Sequence, residues 1–182
     1  MTLFTPTIRE VGLRIIKETP YVGEQGASPD AIAHLWTDLM GKTTWFDRQQ
    51  ESITVLLLDT KLRIDGFYCA HKGGKAQAMM DSAIILRPVL LAGSPSFALV
   101  HNHPSGDPAP SPEDLDATIR LKAAADAVDL NLLDHLVVGT GNRWPQQAPV
   151  VSIRLEVTWA FQTSLWEAMK GWLRDEARKG AR

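Results

Sequence analysis

The residues able to do chemistry are concentrated in one short run, HNHPSGDPAPSPED at positions 101–114. His101 and His103 are two apart at the exit of a short apolar stretch, Phe97–Val100. Side chains at i and i+2 of an extended strand share a face, so both imidazoles aim at one point. Prolines at 104, 108, 110 and 112 stiffen the segment that follows. It delivers Asp114 into the first turn of the next helix, just after Ser111. Two imidazoles and one carboxylate leave a fourth tetrahedral position for water, the pattern of a catalytic rather than a structural zinc site. Zinc lowers the pKa of a water it binds to about 7, so hydroxide becomes available at neutral pH. The spacing therefore nominates His101, His103 and Asp114 as Zn²⁺ ligands. Taken alone, Ser111 and Asp114 make a helix-capping pair. The two roles are compatible, because a helix N-terminus holds a first-turn carboxylate firmly. Residue chemistry alone does not choose among Glu18, Glu24 and Glu51 as a base beside such a metal.

The elements that must position this run can be read from patterning. Ser28-Pro29 starts a helix over about 29–40, with Ile32, Leu35, Trp36 and Leu39 at helical spacing and Gly41 closing it. ESITVLLLD (51–59) is apolar on both faces, as a central strand covered on both sides would be. Asp59-Thr60-Lys61 turns it into a second strand at about 62–70, making a hairpin. A helix is expected at 82–93, capped by Asp81 or Ser82, with Pro88 kinking it or ending it early. Ser111-Pro112 opens the clearest helix, at about 112–127, and NLLDHLVV (131–138) is a further strand. A strand or helix at 7–17 precedes all of these. At the far end, Leu165, Trp166, Met169, Trp172 and Leu173 form an apolar stripe on a terminal helix. Strands alternating with helices around one hairpin imply an α/β or α+β sandwich in a single domain.

Composition sets the outer limits. The chain has 182 residues, 45% apolar and 22% charged, with 19 basic against 21 acidic side chains for a formal charge of −2. That balance exerts no global pull on nucleic acid or acidic membranes. The single cysteine, Cys69, excludes both an internal disulfide and a four-cysteine zinc site, and it fits a reducing compartment. It also excludes the Pro-Cys-x-x-Cys signature of zinc deaminases. The N-terminus lacks the pattern of a secretory signal, and the longest apolar run is broken by Arg87 and Pro88. A cytoplasmic protein without a membrane span is expected.

With these residues in view, the run at 101–114 resembles the JAMM motif of JAB/MPN metallopeptidases, H-x-H-x7-S-x2-D. Its HNHPSGDP wording, together with LLDHLVVG at 132–139, resembles the RadC-type bacterial branch. The resemblance spans roughly 28–155. It implies a JAB/MPN-like mixed β-sheet flanked by helices, a cytidine-deaminase-like three-layer sandwich. The resulting organisation is an N-terminal extension at 1–27, the domain at 28–155 and a C-terminal amphipathic helix at 156–182. The resemblance also selects Glu51 as the general base, because ESITVLLLDTK matches the family's Glu, apolar strand and Leu-Asp-x-Lys. It further implies that the Ser111 hydroxyl helps hold an oxyanion at an amide carbonyl. RadC-type proteins often carry an N-terminal helix-hairpin-helix region, and the first 27 residues would not hold one.

The other candidates rank below these. His135 reads as a satisfied core histidine, with a role behind the metal ligands as the minority alternative. Asp107 and Glu113 fall off the motif's spacing, Asp134 anchors backbone at its strand, and Cys69 is a small buried apolar residue. The expected substrate is an extended peptide or the tail of a ubiquitin-like protein, added as a strand beside the site. Phosphodiester cleavage usually uses two metals about 4 Å apart, and no second acidic cluster is spaced to hold another ion. Nucleic acid is disfavoured as a partner, and the terminal helix is a surface for a homodimer. A RadC-type protein associated with DNA repair and a catalytically silent assembly module are the competing readings.

Overall fold

A computed structural model of the chain describes residues 28–73, 80–142 and 144–158. The expected strand or helix at 7–17, Glu18, Glu24 and the terminal Trp/Met stripe lie outside them. In chain order the elements are α1 (Pro29–Gly41), β1 (Ser52–Leu58), β2 (Ile64–Lys72), α2 (Ser82–Ala92), β3 (Ser96–His103), α3 (Pro112–Asp126), β4 (Asn131–Gly139), β5 (Val150–Ser152) and the short α4 (Ile153–Glu156).

The five strands form one mixed sheet in the order β2-β1-β3-β4-β5. β1 and β2 make the expected antiparallel hairpin. β1 also runs antiparallel to β3, bringing Ile53 opposite His101. β3 and β4 are parallel, as the α3 crossover between them requires. Their register slips once, because Phe97 faces Leu132 while Ala98 faces Asp134. Leu133 is thus an extra residue in β4, a bulge.

Helices cover both faces. Ile32, Ala33, Trp36 and Met40 of α1 pack on Leu56, Leu58, Ala98, Val100, Leu136 and Val138. On the opposite face, Ile85 and Val89 of α2 and Ala117, Leu121 and Ala125 of α3 pack on Ile53, Val55, Phe97 and Leu99. Each fully buried large side chain of this kind contributes about 1.5–3 kcal/mol. The sheet is therefore the middle of three layers, as the patterning of β1 on both faces implies.

Helix starts follow from local chemistry. Ser28 Oγ accepts the Ala31 N–H and Pro29 occupies the first turn of α1, while Asp81 accepts the Ala83 N–H at the start of α2. α2 does not end at Pro88. It continues to Ala92 and stops at Gly93, whose φ of +69° is the left-handed cap. Proline removes the bond to the Ile84 carbonyl. Ile84 is 42% exposed, so water reaches that side of the helix. Cys69 is half-buried rather than buried, because β2 is an edge strand, and its thiol donates to the His71 carbonyl. Among the described residues no helix is long and apolar enough to cross a membrane.

Candidate metal centre

The site forms where β3 ends, β1 begins and α3 starts. His101 and His103 belong to β3 itself and point, like Phe97 and Leu99, toward the α3 layer. Their Nε2 atoms lie 2.8 Å apart. From the start of α3, Asp114 brings Oδ2 to 3.8 Å from His101 Nε2 and 4.0 Å from His103 Nε2. Glu51, on the residue before β1, joins the cluster: one ligand-type atom from each of Glu51, His101 and His103 lies within 4.8 Å of the others. His101 and Asp114 are buried, with 1% and 3% exposure, while His103 and Glu51 are half-buried and open the cluster to solvent.

Each group is held from outside. Ser111 and Asp114 form a complete capping box. Asp114 Oδ2 accepts from the Ser111 N–H at 2.8 Å and from its hydroxyl at 2.7 Å, while the Asp114 N–H donates back to Ser111 Oγ at 3.2 Å. The serine hydroxyl thus serves the cap and the carboxylate together. The loop after β3 doubles back so that Asp107, by its backbone and not its side chain, accepts the His103 Nδ1 proton at 2.8 Å. In the neutral ring, this contact leaves His103 Nε2 as the nitrogen with a free lone pair. That return is possible because Gly106 adopts φ +88° and lies against Gly139, where a Cβ would meet the Gly106 oxygen at 2.2 Å.

Asn102, between the two histidines, faces the other layer and is wholly buried. Its Oδ1 accepts from Ser52 N at 3.0 Å and from Ser52 Oγ at 2.7 Å. Its Nδ2 donates to the Gln50 carbonyl and to Thr140 Oγ1, both at 3.1 Å. Gln50 and Ser52 flank Glu51, so Asn102 fixes the backbone that carries the carboxylate. Sequence reasoning did not single it out. His135 is buried as expected of a core histidine, but it touches the site, with Nε2 at 2.8 Å from His101 Nδ1. Asp134 anchors backbone, accepting from His135 N, Arg154 N and Ser152 Oγ.

The electrostatics suit ligation. Burial lowers the His101 pKa to about 4 against the pull of Asp114, with His103 lowering it further, so the ring is neutral at neutral pH. Burial raises the Glu51 carboxyl above its ordinary value, and Asp114 adds to this while His103 and His71 oppose it. The carboxylate is thereby made more basic than a free one. Two imidazole nitrogens, at least one of them bare, converge beside carboxylate oxygens in a buried corner. That is a donor set for a borderline cation such as zinc.

Comparison with known proteins settles the family. The family model of the RadC-like JAB domain matches residues 27–148. The chain belongs to the RadC-like JAB family. A UPF0758 protein of Geobacter sulfurreducens is 40% identical over 95 residues, covering 52% of this chain and 42% of the relative. One from Shouchella clausii is 36% identical over 132 residues, covering 72% and 55%. One from Trichormus variabilis is 37% identical over 134 residues, covering 73% and 53%. The chain spans about half the length of the curated relatives it matches. JAB/MPN domains include metallopeptidases, and this RadC-like JAB domain brings together the side chains that such chemistry uses.

Proposed function

We propose that the chain is a zinc-dependent hydrolase that cleaves a peptide or isopeptide bond. The observation that carries this reading is the convergence of His101, His103, Asp114 and Glu51 on one half-open corner. His101, His103 and Asp114 would hold the zinc, which supplies a Lewis acid and lowers the pKa of water. Glu51 would take a proton from the attacking water and pass it to the leaving amine. Its partial burial supports that role, since a base works best when its pKa is drawn toward the operating pH. Ser111, whose hydroxyl now rests on Asp114 Oδ2, would turn toward the oxygen of the scissile carbonyl.

An open cleft of about 530 Å³ lies between the turn after β3 and the segment after β4, walled by Ser105, Gly106, Gly141, Trp144, Gln147 and Pro149. Three of its lining residues are glycines, Gly106, Gly139 and Gly141, which leaves room for an extended chain and supports a peptide tail or the tail of a ubiquitin-like modifier as substrate. One cluster of ligands among the described residues, together with the formal charge of −2, argues against a nuclease. The test is to incubate zinc-loaded protein with extended peptides, isopeptide-linked ubiquitin-like fusions, and single- and double-stranded DNA. Glu51→Gln serves as the control. Cleavage confined to peptide or isopeptide bonds and lost in the variant is expected. DNA cleavage that disappears in the variant, with all peptides intact, would overturn the reading.

A further inference from the structure

We infer that His135, directed by Thr118, is a positioning residue that holds His101 as its Nδ1–H tautomer and so keeps His101 Nε2 bare for a divalent cation. The inference rests on the metal site proposed for His101, His103 and Asp114. It assigns a function to a buried histidine that makes no contact with the cation.

The direction of every proton in the chain follows from its far end. The Thr118 hydroxyl lies 2.6 Å from the Asp114 carbonyl oxygen, which can only accept, so the hydroxyl spends its one proton there. Thr118 Oγ1 also lies 2.7 Å from His135 Nδ1 and must accept from it. The His135 ring is wholly buried between His101 and Thr118, where a charged ring would be costly, so it has one N–H, now placed on Nδ1. Its Nε2 is then an acceptor, and the His101 Nδ1 at 2.8 Å must be the donor. A neutral His101 ring, buried beside it, then has no proton left for Nε2. Asp107 O selects the same tautomer of a neutral His103, and two lone pairs then confront one another 2.8 Å apart. That arrangement is unfavourable until a cation enters between them. Thr118 is fully buried and sits one helical turn beyond Asp114, so the same chain links the helix carrying the carboxylate to the strand carrying the imidazoles.

Two measurements test this. In metal-free protein labelled with ¹⁵N-histidine, long-range proton–nitrogen correlations should show His101 and His135 protonated at Nδ1. Zinc titration should then compare His135→Phe, which keeps the ring volume without an acceptor, with His135→Gln, which offers an oxygen to His101 and an N–H to Thr118. The phenylalanine variant should bind zinc about 10–100-fold more weakly, and glutamine should recover most of that loss. If His135→Phe does not fold, Thr118→Val serves instead, and His135 should then become a mixture of tautomers. An Nε2–H tautomer for His101, or parental zinc affinity in folded His135→Phe, would overturn the inference. Failure of the parent to bind zinc would overturn the metal reading instead, and the tautomer measurement would still decide the role of His135.

Discussion

Asn102 and His101 are neighbours in β3, equally buried, and they face opposite layers of the sandwich. The Asn102 side closes on itself. Its oxygen takes two protons from Ser52, and its amide gives two, to Gln50 and Thr140. The His101 side does not close. Its chain of donors runs outward to Thr118 and leaves His101 Nε2, His103 Nε2 and Asp114 Oδ2 as acceptors around one point. Buried polar groups are nearly always satisfied. A corner with acceptors facing acceptors is therefore asking for positive charge, while the satisfied corner behind it holds the backbone still.

Removing an acceptor from the open side should have the largest effect. His103→Ala should abolish zinc binding, read by elemental analysis of protein purified without added metal. Zinc well under about one-half per chain in the parent, unchanged by the substitution, would break the comparison at its root. Glu51→Gln should retain zinc and fold while slowing turnover about 10²–10⁴-fold. Zinc lost along with activity would place Glu51 on the metal rather than on the water.

Ser111→Asn separates cap from catalysis, since asparagine caps a helix as well as serine. Stability close to the parent's is expected, with turnover about 10²–10³-fold lower. Full activity would leave the serine as a cap alone. The smallest effect belongs to the closed side. Asn102→Ala strands the buried Ser52 N–H and should cost about 1–3 kcal/mol in chemical denaturation, with zinc content unchanged. Zinc loss in that variant would show that the two sides are not separable.

What could be read from the sequence was local. His101, His103, Ser111 and Asp114 are tied by strand alternation and by a capping spacing, both of which act over a few residues. Glu51 lies 50 positions before His101, and only the family resemblance selected it. Asn102 escaped for the same reason: its partners Ser52, Gln50 and Thr140 are 38 to 52 positions away. His135 was obscured differently. Strict alternation counted from Leu132 puts it on the other face, and the extra residue Leu133 brings it back toward α3. The helices and the central strand were legible because capping residues and two-sided hydrophobicity mark them directly. Pro88 shows the limit of a single-residue rule, since a helix with water along one side tolerates the lost bond.

The contact between Gly106 and Gly139 means that this cluster can be pulled apart without altering any of its polar side chains. One methyl at position 139 would collide with the Gly106 carbonyl oxygen. Relieving the collision would push away the turn whose next carbonyl, that of Asp107, orients His103. A Gly139→Ala descendant would keep every motif residue and still lose the site. In this chain the two glycines therefore belong with the ligands in any account of what holds the centre together.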